Sequence, residues 1–369
     1  MNKYIICQWL KQYFTGKISY LIFYITNRCN LKCGACFYSE HLNKGINCVS
    51  IAEIEKISKA LPYLLHLILT GGEPFLREDI EEIIKLFFVN SNTFNITIPT
   101  NGFFTDIIVS KTKRILETDN SLRLRINVSL DGPEEIHNRM RGHHSSFKNS
   151  INTIKQLQIL EKHHENLTCG INTVLSDFNK EYLVDFIYFV RSFIKPSDFD
   201  IILARNNIKS QRTRNVTFEE YEFILRHLDN IIFAQPEVFS HKKLIRSLEK
   251  YTHKILLKTY AENKYQLPCL AGRKMLVIYE NGIVMPCELI GKLEHHGGIP
   301  EEDFSFGNIN DVNGDIYKLL KTKRAAEILK FIKDNKCYCS FECAATLNCF
   351  FGPEHFSRVF LNALFSTKL

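Results

Sequence analysis

Between residues 20 and 204 the chain alternates short apolar, β-branched runs with longer amphipathic stretches. Residues 20–26, 64–70, 94–99, 124–130, 168–175 and 199–204 have strand length and few charges, the pattern of strands buried on both faces. Residues 50–61, 77–89, 106–117, 145–161 and 179–193 carry helical spacing between them. Ser50 followed by Glu53 is a capping box that starts the first of these. Strand–helix alternation predicts a parallel sheet with right-handed crossovers.

Polar or glycine-rich clusters follow the C-terminal ends of the strands. They read Thr26-Asn27-Arg28-Cys29, Gly71-Gly72-Glu73-Pro74, Thr100-Asn101-Gly102 and Asp131-Gly132. In a parallel α/β barrel these ends form one mouth, where the active site lies. Six strands are too few for an eight-stranded barrel, so a partly open one is expected.

Residues 218–232 and 242–260 read as helices separated by Pro236, a helical linker. An apolar run at 275–279, an Asn281-Gly282 turn and a second run at 283–285 predict a hairpin. The stretch 334–349 is cysteine-rich and lacks periodicity. Residues 4–14 carry Ile5, Ile6, Trp9, Leu10 and Tyr13 at helical spacing and read as a helix covering the barrel bottom. Interfacial membrane contact, suggested by Lys3, Lys11 and Lys17, is the less favoured reading. The apolar run 63–69 is far shorter than the roughly 20 residues of a membrane helix. With no secretory signal read at the N-terminus, a cytoplasmic location is expected.

The 369 residues include 45% hydrophobic and 24% charged, which excludes disordered, collagen-like and coiled-coil chains. A net charge of +7 is mild and read as a solvated basic surface, with no nucleic-acid partner. The twelve cysteines change the picture, because thiols in a reducing compartment are more often metal ligands than disulfides. Nine fall into two groups: Cys29, Cys33 and Cys36, then Cys269, Cys287, Cys337, Cys339, Cys343 and Cys349.

Cys29-x-x-x-Cys33-x-x-Cys36 places three thiols just after a strand. Three thiolates can hold three irons of a four-iron cluster and leave the fourth open, as a catalytic metal requires. A zinc site lacking its fourth ligand, or a chance grouping, are the alternatives on spacing alone.

The segment Cys29-Asn30-Leu31-Lys32-Cys33-Gly34-Ala35-Cys36, with Gly71-Gly72-Glu73-Pro74, Thr100-Asn101-Gly102 and Ser129-Leu130-Asp131-Gly132, resembles the radical S-adenosylmethionine enzymes over residues 18–205. The resemblance implies an α/β fold, a partial (β/α)6 TIM-like barrel. It also implies a catalytic [4Fe-4S] cluster on Cys29, Cys33 and Cys36, with S-adenosylmethionine chelating the open iron. Gly71 and Gly72 would let the backbone approach the methionine portion. Glu73 would accept from its amino group, while Pro74 equally suits the start of a helix. Asn101, Ser129, Asp131 and, less strongly, Asn172 are further cofactor-binding candidates. Arg141 matches an arginine that pairs with the methionine carboxylate. The family's aromatic residue before the third cysteine is Ala35 here, with Phe37 just after it.

The second cysteine group, with Gly272 after Cys269 and Pro286-Cys287 at the hairpin exit, resembles the SPASM and shorter twitch auxiliary-cluster domains. Six cysteines rather than seven favour one auxiliary [4Fe-4S] cluster. Cys269, Cys287, Cys339 and Cys343 are the favoured ligands, with Cys337 able to replace one and a four-cysteine zinc as the runner-up. Cys7, Cys48 and Cys169 read as buried free thiols. The paired histidines, His295-His296 among them, read as loop or helix-end residues rather than ligands.

The expected division is 1–18 an N-terminal extension, 19–208 the barrel, 209–264 the linker and 265–369 the auxiliary domain. The resemblance implies reductive cleavage of S-adenosylmethionine to a 5′-deoxyadenosyl radical that takes hydrogen from a substrate. A ribosomally made peptide is the favoured substrate, although only about 18 residues precede the first strand. A sugar, aminocyclitol or lipid-linked small molecule is the alternative, and a non-enzymatic iron–sulfur scaffold or sensor a remote one. An electron donor such as flavodoxin or ferredoxin would be the protein partner.

Overall fold

The computed structural model describes residues 12–45, 47–204, 215–232 and 241–365. Six strands, β1 (Tyr20–Thr26), β2 (His66–Gly71), β3 (Asn95–Thr100), β4 (Arg123–Ser129), β5 (Leu167–Leu175) and β6 (Asp198–Leu203), pair in parallel in chain order. Each was predicted, with ends shifted by at most two residues. β1 is buried along all but its first residue, which is why its sequence reads as an unbroken apolar run. β1 and β6 do not pair with each other, so the barrel is partial and open on one side.

Helices α1 (Ile51–Ala60), α2 (Ile80–Ser91), α3 (Thr105–Leu116), α4 (Glu134–Arg141), α5 (Ser146–Glu161) and α6 (Leu183–Phe189) form the crossovers. The Ser50–Glu53 capping box is present in both directions. Sequence periodicity missed α4. It is a short helix with Pro133 at its N-cap and a left-handed Gly142 at its C-cap, and it buries only Ile136, His137 and Met140. The helix expected over 179–193 is a 3₁₀ turn, then α6, then a wider π-type turn over Val190–Ile194.

Beyond the barrel come α7 (Phe218–Ile232) and α8 (His241–Glu262). The break at Pro236 and most of the helix over 4–14 lie outside the described residues. The predicted hairpin forms from β7 (Met275–Ile278) and β8 (Ile283–Met285), and β9 (Gly307–Asn308) pairs with β8. β7 lies parallel to β1, with Tyr20 opposite Met275, so one nine-stranded sheet runs across residue 265.

The C-terminal helices are α9 (Ile316–Leu320), α10 (Lys323–Asp334), α11 (Glu342–Phe351) and α12 (Pro353–Phe365). α11 hid from periodicity because it is buried on several sides, at Ala344, Ala345, Leu347, Asn348, Cys349 and Phe351. α11 and α12 pack on α8, and the amide of Leu203 at the end of β6 donates to Glu342 of α11 at 3.1 Å. These helices therefore stand along the open side of the barrel. No helix among the described residues is long and apolar enough to cross a membrane.

Candidate active site

The Cys29–Cys36 loop leaves the C-terminal end of β1 and is pinned from three sides. The Gly34 amide donates to Met140 O at 2.8 Å, so the last turn of α4 backs the loop. Asn43 brackets Cys29, its side chain accepting from the Cys29 amide and donating to the Cys29 carbonyl, both at 3.0 Å. The Gly72 and Glu73 amides donate to Thr26 O and Arg28 O at 2.8 Å. A Cβ on Gly71 would stand 2.0 Å from Thr26 O, and one on Gly72 2.3 Å from Arg28 O. The two glycines are therefore required by the strand end that carries the cysteines, a demand met before any ligand enters.

Glu73 is 1% exposed and its carboxylate is filled by its own chain. Oε1 accepts from the Phe75 amide and the Thr100 hydroxyl, and Oε2 from the Asn101 amide at 2.8 Å. Burial outweighs these bonds and pushes its pKa up to about 7. Asn101 Nδ2 donates to Asn30 Oδ1 at 2.9 Å, tying the end of β3 to the cysteine loop. Asn30 Nδ2 is buried with no hydrogen-bond partner among the described residues.

Asp131 and Arg141, which sequence reading placed separately on the cofactor, hold each other. Arg141 Nε donates to Oδ2 at 2.6 Å and Nη2 to Oδ1 at 3.0 Å, leaving Nη1 3.9 Å from Cys33 Sγ. Burial opposes the charge on Asp131, but Arg141 and then His137 outweigh it and hold the carboxyl below its usual range. The Asp131 amide donates to His137 Nδ1 and its carbonyl accepts from Asn179. Ser129 and Asn172 face each other across β4 and β5, and Asn172 accepts from Asn127 at 3.0 Å. Gly71, Gly72, Glu73, Asn101, Ser129, Asp131, Arg141 and Asn172 all line one cavity with the three cysteines; Pro74 is buried behind it in a 3₁₀ turn.

Cys29, Cys33 and Cys36 are half-buried and open to this cavity. Their sulfurs do not crowd within 4.8 Å of one another as the ligands of one small ion do. Burial, with the charges of Glu73 and the other two thiols, pushes Cys29 up to about 12. Three thiols on one loop, with the Arg141 cation alongside and the Asn30 donor unmet, suit an iron–sulfur core whose sulfide and thiolate sulfurs can accept from both. The residues fit the cluster.

The second group assembles differently from the favoured set. Cys269 and Cys337 lie side by side, and Cys287 and Cys339 are close enough to act on them electrostatically. Cys343 instead sits on the first turn of α11 and lies beside Tyr20 in the barrel cavity. The structure thus gathers Cys269, Cys287, Cys337 and Cys339, because α11 begins between Cys339 and Cys343 and turns the latter inward. Cys349 is fully buried and packs against α8 beside Tyr251 and Ile255. No disulfide joins the described cysteines, and Cys7 lies outside them.

Sequence reading missed two supports. Arg77 donates to Ile25 O, Val49 O and Asp79, clamping β1 to the chain that returns from the cysteine loop. Tyr24, Tyr38 and Tyr279 form one aromatic group, Tyr38 and Tyr279 lying 7° from parallel, which joins that loop to the β7–β8 hairpin. Tyr38 donates to Glu280, and Tyr24 to the buried Glu288 at 2.5 Å. Clusters of tyrosine and glutamate this far apart in sequence leave no periodic signal.

Residues 23–190 match the Radical SAM superfamily. A GTP 3′,8-cyclase of Clostridium perfringens is 30% identical over 64% of this chain and 69% of its own length. The antilisterial bacteriocin subtilosin biosynthesis protein AlbA of Bacillus subtilis is 26% identical over 78% of this chain, which spans 56% of AlbA. A structure of native anSMEcpe with bound AdoMet and Kp18Cys peptide superposes with a TM-score of 0.59, at 19% identity, over 95% of this chain and 99% of that one, which establishes the shared fold. With the three-cysteine loop, the partial barrel and these likenesses together, the chain is an enzyme of the radical S-adenosylmethionine superfamily, whose cofactors are a [4Fe-4S] cluster and S-adenosylmethionine.

Proposed function

We propose that this enzyme modifies a ribosomally made peptide. The observation that carries the reading is the size of the cavity. It measures about 2130 Å³ and runs from Cys29, Cys33 and Cys36 past β4–β6 to Leu244, Leu248, Phe356 and Phe360 on α8 and α12. Pockets for single small molecules are typically about 300–1,000 Å³. The space exceeds what a cluster and a nucleoside-sized cofactor fill, and its outer end, where Leu244, Leu248, Phe356 and Phe360 stand with Arg246, Glu249 and His253, suits peptide side chains of mixed character. AlbA, named for bacteriocin biosynthesis, supports the same class.

In this reading Cys29, Cys33 and Cys36 hold the catalytic cluster. When bound, cluster and S-adenosylmethionine supply one-electron reductive cleavage and a carbon radical that abstracts hydrogen. Asn30, Glu73, Asn101, Ser129 and Asn172 present polar atoms to the cofactor. Arg141, held by Asp131, turns its remaining nitrogen to Cys33 and steadies the thiolate charge. Cys269, Cys287, Cys337 and Cys339 form the site of one auxiliary [4Fe-4S] cluster. An electron donor such as flavodoxin or ferredoxin and a reducing, cytoplasmic setting belong to the same proposal, as does the division at residues 18, 208 and 264.

The test is to incubate the reconstituted, reduced enzyme with S-adenosylmethionine and, in separate reactions, GTP and candidate peptides synthesised from short reading frames found near its gene. A mass change in a peptide, in step with 5′-deoxyadenosine, is expected. The 30% identity to a GTP 3′,8-cyclase makes a nucleotide the second reading. Turnover of GTP with an unchanged peptide would replace the first by the second.

A further inference from the structure

His295 and His296 lie in a 3₁₀ turn, Glu294–His296, that reaches back to the auxiliary cysteines. The His295 ring stacks on Tyr338 at 4.1 Å and 6°, beside Cys337. His296 is 3% exposed and packed by Phe304 and Phe331, with ring centroids 5.8 and 5.3 Å away. The Gly291 amide reaches His296 Nδ1 only at 3.5 Å, the outer limit of a hydrogen bond. Nε2 of both imidazoles is buried with no hydrogen-bond partner among the described residues. Cys337 is 4% exposed, and one ligand atom from each of the three residues lies within 4.8 Å of the other two.

Aromatic walls that fix two imidazoles and leave them unmet, beside a buried thiol, describe a built donor set rather than a chance pair. Two nitrogens and one sulfur at single-ion spacing suit a borderline-soft ion that accepts tetrahedral geometry. We propose that His295, His296 and Cys337 bind one divalent ion of the zinc class. Cys337 gives up its proton to solvent as the metal–sulfur bond forms, and both imidazoles bind neutral. No electron is transferred.

Cys337 is also one of the four thiols assigned above to the auxiliary cluster. On that reading the mononuclear ion and the four-thiolate cluster exclude each other at Cys337. The auxiliary region would then have two metal states, chosen by which metal reaches it.

The full chain, freed of iron, is titrated with cobalt(II) alone. Expected is one equivalent with sulfur-to-cobalt charge transfer and the d–d bands of a tetrahedral mixed nitrogen–sulfur site. The paired variant His295→Ala/His296→Ala should bind at least tenfold more weakly and lose those bands; unchanged bands at wild-type affinity overturn the assignment. X-ray absorption of the zinc-loaded wild type decides the matter without any variant. Imidazole scattering beside sulfur supports the site, and an all-sulfur shell overturns it. After iron–sulfide reconstitution to about eight irons, cobalt should no longer bind with the imidazole signature, and binding that persists overturns the exclusion. A chain that stops at about four irons yet shows that signature means the cluster reading fails while the zinc-class site stands.

Discussion

Arg141 and Asp131 are joined by two parallel hydrogen bonds, 2.6 and 3.0 Å long, at the mouth of the barrel. Asp131 is 1% exposed and the Arg141 side chain 13%, so neither charge is solvated enough to stand alone. Removing one partner of such a pair costs about 3–5 kcal/mol. Arg141→Ala should lower the unfolding free energy by that order at pH 7, measured in urea. Arg141→Lys keeps the charge and loses the fork, so it should fall between the two.

The same pair sets an acid limb. Asp131 has its folded pKa below the unfolded value, so its contribution is full above about pH 4 and is lost as pH falls through the folded pKa. Comparing wild type with Asp131→Asn at pH 7 and below pH 4 checks this. The difference between them should shrink on acidification, and a constant difference would contradict the linkage.

Glu73 works in the opposite sense. Its folded pKa of about 7 lies above the ordinary carboxyl value of about 4.5, so stability is greatest below about pH 4.5 and declines as pH rises to about 7. The decline should be roughly 3 kcal/mol for a shift of this size. Unfolding of the iron-free chain across that range, with Glu73→Gln as the flat reference, measures it.

Gly72→Ala tests the backbone contact between the second strand end and the cysteine loop. With the new methyl 2.3 Å from Arg28 O, the loop must move. Expected are a loss of about 1–3 kcal/mol in stability and poorer iron retention by Cys29, Cys33 and Cys36. Iron analysis after anaerobic reconstitution reads the second effect.

Cysteine variants separate the two thiol groups. Alanine at Cys29, Cys33 and Cys36 together should remove about four irons and abolish 5′-deoxyadenosine formation. Cys339→Ser should cost the auxiliary iron, whereas Cys343→Ser, which touches Tyr20 instead, should retain it.

The six barrel strands and the motifs at their ends were legible because burial on both faces leaves an unbroken apolar run, and each run ends in an abrupt polar cluster. The Arg141–Asp131 pair was not. It depends on α4, whose eight residues bury too few side chains to show a period. The placement of Cys343 apart from Cys337 and Cys339 was hidden for a related reason, since nothing in the spacing marks where α11 begins. His295 and His296 gave no signal because their partner lies some forty residues on, brought back by packing against Phe304 and Phe331.

β1 belongs to both thiol groups at once. The cysteine loop leaves its C-terminal end, while β7 and β8 run beside it so that Met285 lies level with Ile22 and Cys287 follows toward the Tyr20 end. Its seven residues make a strut on the order of 20 Å. A strand hydrogen-bonded on both sides is among the least compliant elements in a protein, so the cysteine loop and the hairpin exit at Cys287 are held toward opposite ends of one stiff element.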